Sequence, residues 1–292
     1  MFRLKRDGLA KVIKLIFQYI FFKKKKIDLD DLNLSKNLSL DDLFLTFGTD
    51  KGFLDGKKTF YKISKTFSDK KFPNYKDWVL RNDIHDFEYE LGQNFTPVYD
   101  KFFKHIKFEK LNILEIGVAG GHSHASWYKY FPNSNIHGID IKPEKELLYS
   151  GRRLKYYQLD ILNKKEVDEF LKKGLKFDII IDDSLHDFDA FIANLFNFFP
   201  SLKSNGLFFL EDFLHKDIRL ERLRSYNQKH GKKLTKYDLT MQEIFTNLSK
   251  KMIFESDYIS KEKQINMHDD VKDFEIIKLD YPDAAIAVIR KK

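Results

Sequence analysis

The 292 residues include 52 Lys and Arg, 44 Asp and Glu, and no cysteine. The absence of cysteine excludes disulfides and thiolate ligands, so any metal here is held by oxygen or nitrogen. A hydrophobic fraction of 42% excludes wholesale disorder, and the net charge of +8 is spread over alternating basic and acidic runs, so no nucleic-acid partner is expected.

Residues 9–22 are mostly apolar, preceded by Arg3, Lys5 and Arg6 and followed by Lys23 to Lys26. On a helix, Leu9, Val12, Ile13, Ile16 and Ile20 share one face, with Lys11, Lys14 and Gln18 opposite. About 20 apolar residues are needed to span a bilayer, and this run is shorter and interrupted. It runs into lysines instead of a small-residue cleavage site. Residues 1–26 therefore read as a basic amphipathic helix. Such a helix lies on an anionic membrane surface or docks on the domain or a partner subunit, as in a homo-oligomer. The expected location is cytoplasmic, peripheral to the inner face of the cytoplasmic membrane if the first reading holds.

Residues 27–105 show helical and irregular patterns without strand alternation. From Leu111 onward, strand and helix signals alternate, which predicts an α/β fold: a doubly wound, Rossmann-like sheet over residues 106–292. Strands are expected at 112–116, 136–141, 155–161, 178–182 and 207–210, and helices at 123–130, 164–173 and 188–198. A charged, helical insertion is expected at about 214–251. Two final strands, 274–279 and 285–289, flank Tyr281-Pro282-Asp283, a turn that predicts a hairpin and an antiparallel last strand.

The chemistry-bearing residues fall at the predicted strand ends. Asn112 to Ile116 run into Gly117-Val118-Ala119-Gly120-Gly121 and then a helix containing Ser123. Glycines let the backbone approach a ligand, and a helix N-terminus offers free N–H groups. The spacing, Glu115-x-Gly-x-x-Gly-Gly, is not that of dinucleotide binders. Asp140 ends the second strand, where a carboxylate accepts hydrogen bonds from ribose hydroxyls; Asp160 ends the third, where it would meet an adenine amino group. Two acidic pairs, Asp182-Asp183 and Glu211-Asp212, end the apolar runs 177–181 and 206–210. Neighbouring parallel strands place such ends roughly 4.8 Å apart on one edge. Crowded carboxylates there are costly unless a cation holds them or one stays protonated. His186, three residues past Asp183, reaches the same space. His122 and His124 follow the glycine turn, where they cap the helix or line the pocket.

The Glu115–Gly121 stretch and the terminal hairpin resemble class I S-adenosylmethionine-dependent methyltransferases. More narrowly, the chain is similar to metal-dependent sugar O-methyltransferases of the mycinamicin and tylosin type and their relatives in bacterial glycan clusters. Gly48-Thr49-Asp50-Lys51-Gly52, Phe95-Thr96-Pro97-Val98-Tyr99-Asp100, Ile181-Asp182-Asp183-Ser184-Leu185-His186 and Leu210-Glu211-Asp212 carry that resemblance. It implies a seven-stranded sheet, S-adenosylmethionine as cofactor, and Mg²⁺ or Mn²⁺ held by Asp183, Glu211 and Asp212. It also implies His186 as general base and a cofactor site including Tyr99, Glu115, Gly117, Gly120, Gly121, Ser123, Asp140, Asp160 and Asp182. Ser184 and Leu185 depart from the family pattern, which has Gly and Ser there, so the loop presenting His186 is free to take another shape.

The expected function is O-methylation of a sugar hydroxyl, on a free or nucleotide-linked sugar or a glycan, in bacterial capsule or surface-glycan assembly. Two other readings stand beside it: a methyltransferase for a small non-sugar diol, and a non-catalytic, membrane-docked glycan-binding protein of the same fold.

Overall fold

The computed structural model describes residues 26–34, 38–49, 51–52, 94–229, 239–256, 259–279 and 284–292. The basic segment 1–25, residues 53–93 of the N-terminal region, Asp50, the centre of the insertion at 230–238 and the Tyr281-Pro282-Asp283 turn lie outside the described residues. Among the described residues no helix is long and apolar enough to cross a membrane.

Seven strands form one sheet: β1 (Asn112–Ile116), β2 (Asn135–Asp140), β3 (Leu154–Gln158), β4 (Phe177–Asp182), β5 (Leu202–Leu210), β6 (Val271–Lys278) and β7 (Ala285–Lys291). Their order across the sheet is β3-β2-β1-β4-β5-β7-β6. β1 to β5 are parallel, while β7 runs antiparallel to both β5 and β6. Chain order reverses between β1 and β4, so a crevice opens there at the carboxyl edge, where ligands of open α/β sheets bind.

Helices α1 (Leu40–Phe47), α2 (Thr96–Phe103) and α3 (His122–Tyr130) cover one face. Helices α4 (Lys164–Leu171), α5 (Phe188–Phe198), α7 (Met241–Ser249) and α8 (Lys261–Asp270) cover the other. Between β5 and α7 the chain forms α6 (Leu214–Lys229). Side chains of a strand alternate between faces. Accordingly Leu114, Ile180 and Phe208 pack under α5 and α7, while Ile113, Ile179 and Phe209 pack under α1, α2 and α3. Two covered faces explain why the central strands read as unbroken apolar runs.

Some elements differ from expectation, and β6 also starts at Val271, three positions early. β3 stops at Gln158, so Asp160 lies in the following turn. β5 begins at Leu202, five positions before the expected strand, because buried Leu202 pairs with Phe177, and exposed Lys203, Ser204 and Asn205 form an irregularity before pairing resumes at Leu207. α8 has a weak apolar stripe, with only Gln264, Met267 and His268 buried, and its sequence pattern gave no helix signal. The charged insertion contains two helices, α6 and α7, joined by a bidentate Arg224–Glu243 pair at 3.1 and 2.8 Å.

Candidate active site

The strand registers align the functional positions. Ile116 pairs with Asp182, and Asp182 with Leu210. The ladder then continues one residue further: Asp183 N donates to Ile116 O at 2.9 Å and Glu211 N to Asp182 O at 3.1 Å. On the other side Gly117 N donates to Ile139 O at 2.8 Å, beside Asp140. Asp140, Gly117, Asp183 and Glu211 therefore stand in one row along the carboxyl edge of β2, β1, β4 and β5.

Gly117 has φ +91°, and a Cβ there would lie 2.1 Å from Asp183 O and 2.6 Å from Ser184 Cα. The glycine turn thus packs directly on the loop that carries the second group of acids. Gly121, also at φ +91°, starts α3, and no side chain caps that helix end. Gly120 lies against His122 and Leu148, and Ser123 is buried in the first helical turn. Uncapped N–H groups at a helix start favour an anion. Asp140 closes the turn: its carboxylate accepts from Ala119 N at 2.7 Å and from Lys142 N at 2.9 Å.

Several predicted cofactor residues also make contacts within the fold. Glu115 is fully buried, accepting from Trp127 Nε1 at 3.1 Å and facing His124 Nδ1 at 3.0 Å, so it locks α3 onto β1. Asp182 is also fully buried. Its two oxygens lie 3.0 Å from Asn194 Nδ2 on α5, and Ser184 N donates to Oδ1 at 3.2 Å. Burial pushes the Asp182 carboxyl up to about 7, against the hydrogen bonds from Ser184 and Asn194. Asp160 accepts from Leu162 N at 2.9 Å, a turn-forming contact. Tyr99 is buried among Phe103, Trp127 and Phe209, and its hydroxyl donates to Glu211. Burial, reinforced by the Glu211 charge, raises the Tyr99 phenol well above its ordinary value, so it stays a donor.

Ser184, the departure from the resembled pattern, is part of the loop's anchorage. Asn194 Nδ2 donates to its Oγ at 2.8 Å, and His186 N donates to its carbonyl at 2.8 Å. The loop is pinned from β4 and α5 together, while Leu185 points outward, 59% exposed.

Asp183, His186 and Asp212 each offer a donor atom within 4.8 Å of the other two. His186 Nε2 lies 3.5 Å from Asp183 Oδ1 and His186 Nδ1 lies 3.5 Å from Asp212 Oδ2. Asp212 has φ +53°, a backbone conformation costly for a residue with a Cβ and concentrated at functional sites. That left-handed residue breaks the strand alternation, so consecutive acids diverge. Glu211, predicted beside Asp183 and Asp212 as a ligand, is held by Lys51 and Tyr99. Its carboxyl is pushed up to about 7 by burial, with Lys51 opposing. Lys51, 1% exposed, also donates to Asp183 Oδ2 at 2.5 Å. Sequence reasoning quoted Lys51 within a signature but assigned it no role; its separation of 132 and 160 residues from its partners hid the contact.

No protein-family model matches this chain. Over 126 residues it is 32% identical to mycinamicin VI 2''-O-methyltransferase of Micromonospora griseorubida, a match taking in 40% of this chain and 31% of that protein. Over 125 residues it is 29% identical to demethylmacrocin O-methyltransferase of Streptomyces fradiae, with the same coverages. The match thus spans about a third of these relatives' length. Among solved structures, MycE methyltransferase from the mycinamycin biosynthetic pathway, in complex with Mg and SAH, superimposes with a TM-score of 0.54 at 17% identity, over 99% of this chain and 61% of that one. The fold is therefore that of this methyltransferase, and the matched stretch is similar in sequence to macrolide sugar O-methyltransferases.

Proposed function

We propose that the chain is an S-adenosylmethionine-dependent, divalent-cation-assisted O-methyltransferase acting on a sugar hydroxyl. The observation that carries this reading is the single row of Asp140, Gly117, Asp183 and Glu211, which sets a nucleoside cradle beside a cluster of acids. Similarity to the two macrolide sugar O-methyltransferases supports the acceptor class.

When bound, S-adenosylmethionine supplies an electrophilic methyl group and a divalent cation lowers the pKa of the acceptor hydroxyl. Asp140 is placed to accept from the ribose hydroxyls, and the turn from Gly117 to Gly121 with the start of α3 to receive the methionine carboxylate. Hard oxygen donors suit Mg²⁺ or Mn²⁺. The tight grouping of Asp183, His186 and Asp212 fits such an ion, with Asp183 and Asp212 as its holders. His186 is half-exposed at the rim of the two carboxylates, where its ring nitrogen takes the proton from the acceptor oxygen. We extend the reading to surface-glycan or capsule sugars as acceptors, on the strength of the basic, amphipathic sequence of residues 1–26.

The test is transfer of labelled methyl from S-adenosylmethionine to a panel of macrolide glycosides, nucleotide-linked sugars, capsular oligosaccharides and catechol-like diols. We expect transfer to sugar acceptors with Mg²⁺ or Mn²⁺ and its loss in EDTA. Asp183→Asn and Asp212→Asn should abolish turnover while cofactor binding persists. Full activity of verified metal-free protein would remove the cation from the mechanism, and transfer confined to the diols would replace the sugar.

A further inference from the structure

Lys51 has an environment unlike that of any other described cation. Its side chain is 1% exposed, and its ammonium lies between two carboxylates at the ends of neighbouring strands, Asp183 on β4 and Glu211 on β5. A fully buried lysine is costly unless its charge is compensated. It is delivered by a short segment outside the sheet, fixed by Phe95 N donating to Lys51 O at 2.7 Å. Its ammonium also lies 5.9 Å from the centre of the Phe95 ring.

Asp183 is the residue where two demands meet. Its Oδ2 accepts from Lys51, while its Oδ1 faces His186 within the group that fits a divalent cation. A carboxylate neutralised by an ammonium is a weaker ligand, because like charges repel across a few ångströms of poorly solvated space.

Resting on the cation-assisted reading above, we propose that Lys51 is an internal counter-cation that competes with the divalent ion for Asp183 and sets the affinity of the site. The lysine neutralises the acids while no metal is bound and gives up its contact with Asp183 when the ion enters. Glu211 is the ammonium's second partner and retains it. Lys51 is thus a positioning residue: it acts through Asp183 and touches neither acceptor nor cofactor. The loss of the ammonium removes the internal partner that competes with the ion at Asp183 Oδ2.

The experiment is Mn²⁺ binding to the full chain, followed by the spin-resonance signal of free Mn²⁺, for wild type, Lys51→Met and Lys51→Arg. Lys51→Met should bind Mn²⁺ at least tenfold more tightly, and Lys51→Arg should stay within about threefold of wild type. Equal or weaker binding by a folded Lys51→Met protein would overturn the proposal while leaving the cation reading intact. Absence of Mn²⁺ binding to wild type would overturn both, so the two failures are distinguishable. Should Lys51→Met not fold, Lys51→Gln, which keeps a hydrogen-bond donor toward Glu211 without the charge, provides the decision in the same Mn²⁺ titration. Tighter binding than wild type is expected, and equal or weaker binding would refute the exchange.

Discussion

His186 separates two roles that its position allows, base and ligand. Its ring nitrogens lie 3.5 Å from carboxylate oxygens of Asp183 and Asp212, at the edge of the acid cluster. As a base it contributes to kcat and little to metal affinity. His186→Ala should lower kcat by roughly 10²–10⁴, remove the acidic limb of the pH–rate profile and leave Mn²⁺ affinity within about threefold. A large loss of Mn²⁺ affinity in that variant would make His186 a ligand. At this scale the sequence located the acids and the histidine, because the acids sit within two residues of recognisable strand ends and His186 follows Asp183 by three. It did not show the internal partners of Glu211 and Asp182, since the direction of a side chain at a strand end depends on backbone angles such as the left-handed φ of Asp212. It gave Lys51 no role because that role exists only through long-range packing.

The loop between β4 and α5 shows how two elements hold the proposed base, His186. Asn194, buried on α5, donates to Asp182 and to Ser184 Oγ, so the helix fixes the path of the backbone from Asp183 to His186. Asn194→Ala leaves the buried Asp182 carboxylate without that donor, a loss of about 1–3 kcal/mol by the usual cost of an unsatisfied buried group. Thermal unfolding should show that destabilisation, and kcat should fall while cofactor affinity changes little, because the cradle belongs to β1 and β2. An unchanged melting temperature would mean the loop is held by other contacts. The elements themselves were legible where burial was two-sided. The apolar runs of β1 and β4 and the stripe of α5 were placed almost to the residue, since each must fill space against both faces of the sheet or against it. β5's polar first half and α8 escaped notice because they contribute little apolar surface, and apolar surface is what the sequence pattern reports.

For the molecule as a whole, the order of strands decides what the site is. The reversal between β1 and β4 places the glycine turn and Asp140 on one side of the crevice and Asp183, Glu211 and Asp212 on the other, so under the proposed function one ligand would bind on each side and the two would meet at its centre. The proposed function depends on the first side being a nucleoside-sulfonium site. Calorimetric titration of S-adenosylmethionine into the full chain tests this most directly, with Asp140→Ala alongside. Saturable one-to-one binding is predicted for wild type. The variant should bind at least tenfold more weakly, about 1.4 kcal/mol, as expected for lost hydrogen bonds to ribose hydroxyls. No binding by wild type, or equal affinity in the folded variant, would contradict the account.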